Sequence, residues 1–117
     1  MKLTKKLKAK WIEALRSGEY GQTTAHLCDG EGNFCCLGVL EHVVLDGKVE
    51  YKNKEFLAFP TIKFYKYAGI EIDKRVGWES WTSDAVDEDA ERLAKLNDNG
   101  KTFKWIANWI EENIATK

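Results

Sequence analysis

The sequence predicts an α+β domain: an antiparallel sheet of hairpins packed with an N-terminal helix and a C-terminal helical hairpin. Three patterns carry that expectation. Apolar residues recur at helical spacing near both ends of the chain. Two β-favouring stretches, residues 20–36 and 48–59, each fold back across a run of turn formers. The elements run helix, hairpin, helix, hairpin, helix, loop, helical hairpin, without the regular strand–helix alternation of a parallel sheet. With 117 residues, 44% of them hydrophobic and 32% charged, the chain fits one globular domain, residues 1–117.

Each element has a local reason. Leu3, Leu7, Trp11, Ile12 and Leu15 form one apolar stripe, and Lys5, Lys6, Lys8, Lys10 and Glu13 take the other faces. Gly18 suits the left-handed position that closes such a helix. Residues 20–28 carry Thr-Thr and partial alternation. The run Asp29-Gly30-Glu31-Gly32-Asn33 is a turn, and Phe34-Cys35-Cys36 returns as a strand. Residues 37–45 are mostly apolar and read as a short buried helix, with Glu41 and His42 toward its exposed side and Gly47 at its end. Residues 48–59 alternate about an Asn53-Lys54 turn as a second hairpin. Pro60 sits at or near the first helical position, Ile62, Tyr65 and Ala68 keep helical spacing, and Gly69 stops them. Residues 70–83 are irregular and are the expected functional loop. Acids at 84–89 suit a helix start, followed by an apolar face of Val86, Ala90, Leu93, Ala94 and Leu96. Asn97-Asp98-Asn99-Gly100 breaks that helix. Thr102 caps the last one, whose buried stripe is Phe103, Ile106, Ile110 and Ile114. Trp105 and Trp109 share a second face, so that helix is central or its tryptophans meet another chain or a ligand.

The net charge of -1 excludes a polycation that coats nucleic acid, yet the charge is segregated. Residues 1–16 hold six Lys/Arg and one Glu, whereas residues 17–47 hold five acids and no Lys or Arg. The next three blocks, 48–75, 76–99 and 100–117, come to +3, -5 and +1. No stretch reaches the about 18 apolar residues of a membrane span, and no signal peptide is recognisable, so no membrane partner is expected. Three cysteines, two of them adjacent, fit a reduced cytosolic setting.

No motif fixes a reaction. His26, Cys28, Cys35, Cys36 and His42 are metal-ligand types, but adjacent cysteines on a strand point apart, and structural zinc sites space theirs. Residues 29–33 imitate the start of an EF-hand loop, but Phe34 and Leu40 occupy its diagnostic Gly and Glu positions. No metal or other cofactor is therefore expected. His26 and Cys28 lie two apart on one strand face, yet no oxyanion loop accompanies them. The last two helices resemble a helix-turn-helix in outline, but Glu111 and Glu112 oppose a polyanion, so no nucleic-acid polymer is expected. Binding has more support. Lys63, Tyr65, Lys66, Tyr67, Lys74, Arg75, Trp78 and Trp81 interleave aromatic and cationic side chains, the chemistry that stacks bases and holds phosphates.

Three blocks, WIEALRSGEYGQ (11–22), FCCLGVLEHV (34–43) and LAKLNDNGKTFKWIANWIEENI (93–114), resemble a widespread, largely uncharacterised family of small bacteriophage-encoded proteins. Glu41 departs from it, standing where many members carry a third cysteine. The resemblance implies a viral accessory protein of the host cytoplasm. Such proteins often counter host defence, and one class, the sponges, sequesters cyclic nucleotide signals without cleaving them. The expected function is accordingly a non-enzymatic sponge for a nucleotide immune signal, working as a homo-oligomer. Its expected ligand-binding residues are Trp78 and Trp81 for stacking and Arg75 for phosphate. Tyr20, Gln22, Asn97 and Asp98 join them from the shared blocks, with Gln22 and Asn97 reading base edges. A protein-binding inhibitor of a host enzyme and a small nucleotide hydrolase dependent on His26 are the alternatives.

Overall fold

Helix α1 (Lys5–Arg16) starts where the Thr4 hydroxyl accepts the Leu7 N–H at 3.1 Å, and Gly18 follows its end at φ +77°. In the computed structural model the described residues are 1–46, 59–72 and 87–117. Trp11, Ile12 and Leu15 of α1 are buried, as the stripe requires. The Trp11 indole N–H donates to the Cys36 carbonyl at 3.0 Å, which satisfies a polar atom inside the core.

Four further helices follow among the described residues. Helix α2 (Cys36–Val44) packs against α1, and its first six residues, Cys36 to Glu41, are all buried. Glu41 is 1% exposed, which corrects the expectation that it faces solvent. The cause is packing on several sides: α1, the later helix Glu88–Asp98 and the short strand Asn33–Phe34 all contact α2, so only its last residues reach the surface. Gly38 is the point of closest approach. A Cβ there would overlap the Leu27 carbonyl oxygen, so only glycine lets the loop lie on the helix. Helix α3 (Ile62–Ala68) is capped by Thr61 and ends at Gly69 with φ +71°, so Pro60 precedes the cap and is not the first helical residue. Helix α4 (Glu88–Asp98) is capped by Asp87. Helix α5 (Phe103–Asn113) is capped by Thr102 and buries Phe103, Ile106, Ala107 and Ile110 against α1 and α4.

The sheet differs from the expected hairpins. Strands β1 (Lys2–Leu3) and β4 (Ala115–Thr116) pair in parallel, and so do β2 (Gly21–Gln22) and β3 (Asn33–Phe34). The turn at residues 29–33 forms. The Asp29 carboxylate accepts the Glu31 and Asn33 N–H groups at 2.8 and 3.1 Å, and one antiparallel bridge joins Cys28 to Phe34. The strand expected over residues 20–28 does not continue, because the chain bends at Ala25, a non-glycine residue at φ +68°. Phe34 consequently has a neighbour on each edge. Its carbonyl accepts the Thr23 N–H at 2.9 Å, and the Cys35 N–H donates to Leu27 at 3.1 Å. The second expected hairpin lies outside the described residues except for Phe59. The result is a small α+β domain with mostly helical walls. Among the described residues no helix is long and apolar enough to cross a membrane.

Candidate functional site

Three of the polar residues singled out above meet at the C-terminal end of α4. Asn97 is fully buried in that helix's last turn. Its Oδ1 accepts Gln22 Nε2 at 2.9 Å and the Cys36 backbone N–H at 3.3 Å, and its Nδ2 donates to the Thr23 carbonyl at 2.7 Å. Gln22 Nε2 also donates to the Lys101 carbonyl at 2.8 Å. The Asp98 carboxylate accepts the Ala25 N–H at 2.9 Å and so holds the left-handed bend. The tie joins loop 21–25, the start of α2 and the end of α4. Tyr20 stands beside it, half-buried. Its hydroxyl shares a 2.8 Å hydrogen bond with His42 Nδ1, and its ring meets Phe34 edge-on at 5.5 Å. Arg75, Trp78 and Trp81 lie outside the described residues.

The thiols sit inside the same framework. The Cys35 sulfur caps α2 by accepting the Gly38 N–H at 3.4 Å, and burial pushes its thiol up to about 11. Cys36, whose thiol points to the Leu93 carbonyl at 3.6 Å, is also shifted well up by burial. Thiols in this state are neutral at physiological pH, and a neutral thiol is a poor nucleophile. Cys35 lines a small cavity of about 70 Å³ with Ala25, His26, Phe59, Ala94 and Asp98, room for solvent and not for a substrate. Among the described residues no three His, Cys, Asp or Glu side chains are grouped to hold a metal ion.

A different surface combines cationic, aromatic and apolar side chains. Thr4, Lys6, Leu7 and Lys10 of the α1 segment, Val43 and Val44 of α2, and Tyr67 and Ala68 of α3 line an open groove of about 380 Å³. Leu7, Val43, Val44 and Ala68 supply apolar walls, Lys6 and Lys10 two ammonium groups, and Tyr67 a ring that is 72% exposed. Lys63 lies one helical turn before Tyr67 on the same face of α3. The groove joins the basic block at residues 1–16 to the aromatic-basic stretch that begins at Lys63. Both charge patterns stand in the sequence, but nothing in it marks Lys6 and Lys10 as site residues, because their proximity to Tyr67 is tertiary.

The start of α1 is electrostatically unusual. A helix N-terminus carries partial positive charge and favours acids. Helix α4 conforms, with Asp87 as cap and Glu88, Asp89 and Glu91 in its first turn. Helix α1 has no acid in its first turn and places Lys5 and Lys6 there. Like charges accumulate at that end, and an anion in the groove relieves them. Two larger grooves differ: one of about 430 Å³ is lined by Glu71, Asp87, Glu88 and Asp89, and in one of about 590 Å³ between α1 and α5 the Arg16 guanidinium is held by Glu111 and Asn108, each at 2.7 Å.

Fold and groove together define a small α+β domain with a cationic, aromatic-edged surface site. The chain belongs to a family described as a domain of unknown function (DUF8296), whose model matches residues 3–114. Neither a curated protein nor a solved structure matches it.

Proposed function

We propose that the protein binds a small nucleotide in the groove between α1, α2 and α3 and sequesters it without cleavage. The observation that carries this reading is the convergence of Lys6 and Lys10 with Tyr67 over apolar walls. A base stacked on an aromatic ring gains about 1–3 kcal/mol, and ammonium groups hold phosphate oxygens by charge-assisted hydrogen bonds. Burial holds Cys35 protonated far above neutral pH, so that thiol is not an activated nucleophile. Arg75, Trp78 and Trp81 extend the same chemistry in sequence after α3 and remain part of the proposal. So do the viral role that the sequence resemblance implies, removal of a nucleotide immune signal in the host cytoplasm, and homo-oligomer formation.

Isothermal titration against mononucleotides and cyclic di- and trinucleotides tests the reading, followed by chromatographic recovery of the ligand. The expected result is saturable heat with at least one member and recovery of that member intact. Absence of heat with all of them rejects nucleotide binding, and recovery of a cleaved product favours the hydrolase. One observation favours the protein-binding alternative: Trp105 on α5 is 41% exposed, with Lys101 Nζ 4.6 Å above its ring. One stoichiometric protein partner in a pulldown from host lysate, with no nucleotide heat, supports that alternative.

A further inference from the structure

We infer that the groove selects a single nucleoside carrying two adjacent phosphoryl groups, and not a whole cyclic dinucleotide; this rests on the nucleotide reading above. Size is the first argument. At about 380 Å³ the groove lies near the lower end of the roughly 300–1,000 Å³ span of small-molecule sites. Among the described residues it offers one exposed ring, Tyr67, as a stacking platform.

The placement of charge is the second argument. Lys6 and Lys10 both rise from α1, four residues and so about 6 Å apart along its axis. Tyr67 comes from α3, a different wall. A ligand that meets both must present its base to one side and its charge to the other. Adjacent phosphoryl groups on one sugar do so, because all their oxygens lie at one end of the molecule. The phosphates of a cyclic dinucleotide lie on opposite sides of its ring, so only one of them can face α1 while a base rests on Tyr67. The acid-free first turn of α1, with Lys5 and Lys6 in it, adds positive potential at that same wall. A second phosphoryl group thus meets a second ammonium and not bulk water.

Titration of the full chain at low salt with ADP, GDP, AMP, GMP, cyclic di-AMP, cyclic di-GMP and pyrophosphate tests the inference. Either nucleoside diphosphate should bind about tenfold or more tightly than its monophosphate and than the cyclic dinucleotides. Lys10→Gln should bring diphosphate and monophosphate within about threefold of one another, and Tyr67→Ala should bring the diphosphate down to the level of pyrophosphate. Both side chains are on the surface, and unchanged thermal unfolding of each variant shows that folding is intact. Equal binding of diphosphate and monophosphate, tighter binding of a cyclic dinucleotide, or pyrophosphate binding as tight as the diphosphate overturns the inference while leaving an anion site. Heat from none of the nucleotides overturns the nucleotide reading itself.

Discussion

At the end of α4, Asn97 and Gln22 turn their amides toward each other and toward the backbone; at the start of α1, Lys6 and Lys10 line an open groove. Both regions are polar, and both join segments far apart in sequence. Their difference lies in where the hydrogen-bonding capacity goes. In the tie it is used inside the fold, where an unsatisfied donor costs roughly 1–3 kcal/mol. In the groove Lys6, with Lys5 beside it, crowds the positive end of a helix dipole, which costs stability and favours an anion. The motif-rich blocks therefore build the frame, and residues largely outside them line the cationic, aromatic-edged groove.

Substitutions should separate the two regions by what they change. Gly38→Ala should cost the most, about 3 kcal/mol or more, since the new Cβ meets backbone and not a movable side chain. Chemical denaturation would show it as a lower midpoint with an unchanged slope. Asn97→Ala should follow at about 2–3 kcal/mol, because it strands the buried Cys36 N–H and frees the Thr23 carbonyl. A loss below about 0.5 kcal/mol would show that the tie is not structural.

The thiols give a pH-dependent version of the same test. Below pH 9 the Cys35 thiol is neutral in both folded and unfolded chains. Between its ordinary value of 9.0 and its folded value of about 11, only the unfolded chain releases the proton. Stability should therefore fall by about 1.4 kcal/mol per pH unit over that window and level off above it for this group. Cys36 and Tyr65, also shifted up by burial, act in the same direction. Native thiols should resist alkylation at pH 7.5, and all three should react in denaturant. The groove responds oppositely to mutation. Lys6→Glu puts an acid in the first turn of α1 and should raise stability by about 0.3–1 kcal/mol at low salt while removing ligand binding.

Much of the frame was legible in the sequence. The last helix could be read from Thr102 and the Phe103, Ile106, Ile110, Ile114 stripe, because its period and cap agree. Gly18 and Gly69 marked helix ends, because left-handed backbone selects glycine. The parallel pairing of β2 with β3 was hidden, since the bend that permits it falls on Ala25, which carries no turn signature and is held by Asp98 from 73 residues away. The burial of Glu41 is not legible in the sequence, because a nine-residue helix packed on several sides has no polar face for its period to reveal. Gln22 and Asn97 were legible as unusual polar residues, but their partners, each other and the backbone, are tertiary. The groove was legible only as two separate charge patterns, since Lys10 and Tyr67 are 57 positions apart and only the tertiary fold brings both to one groove.

The most direct measurement is a titration of the wild-type chain and Lys6→Glu with ADP, each paired with a thermal unfolding curve. Saturable binding by the wild type, lost in a variant that is at least as stable, is the predicted result. Equal binding by both chains, or loss of binding together with loss of stability, would contradict a groove whose lysines serve the ligand and not the fold.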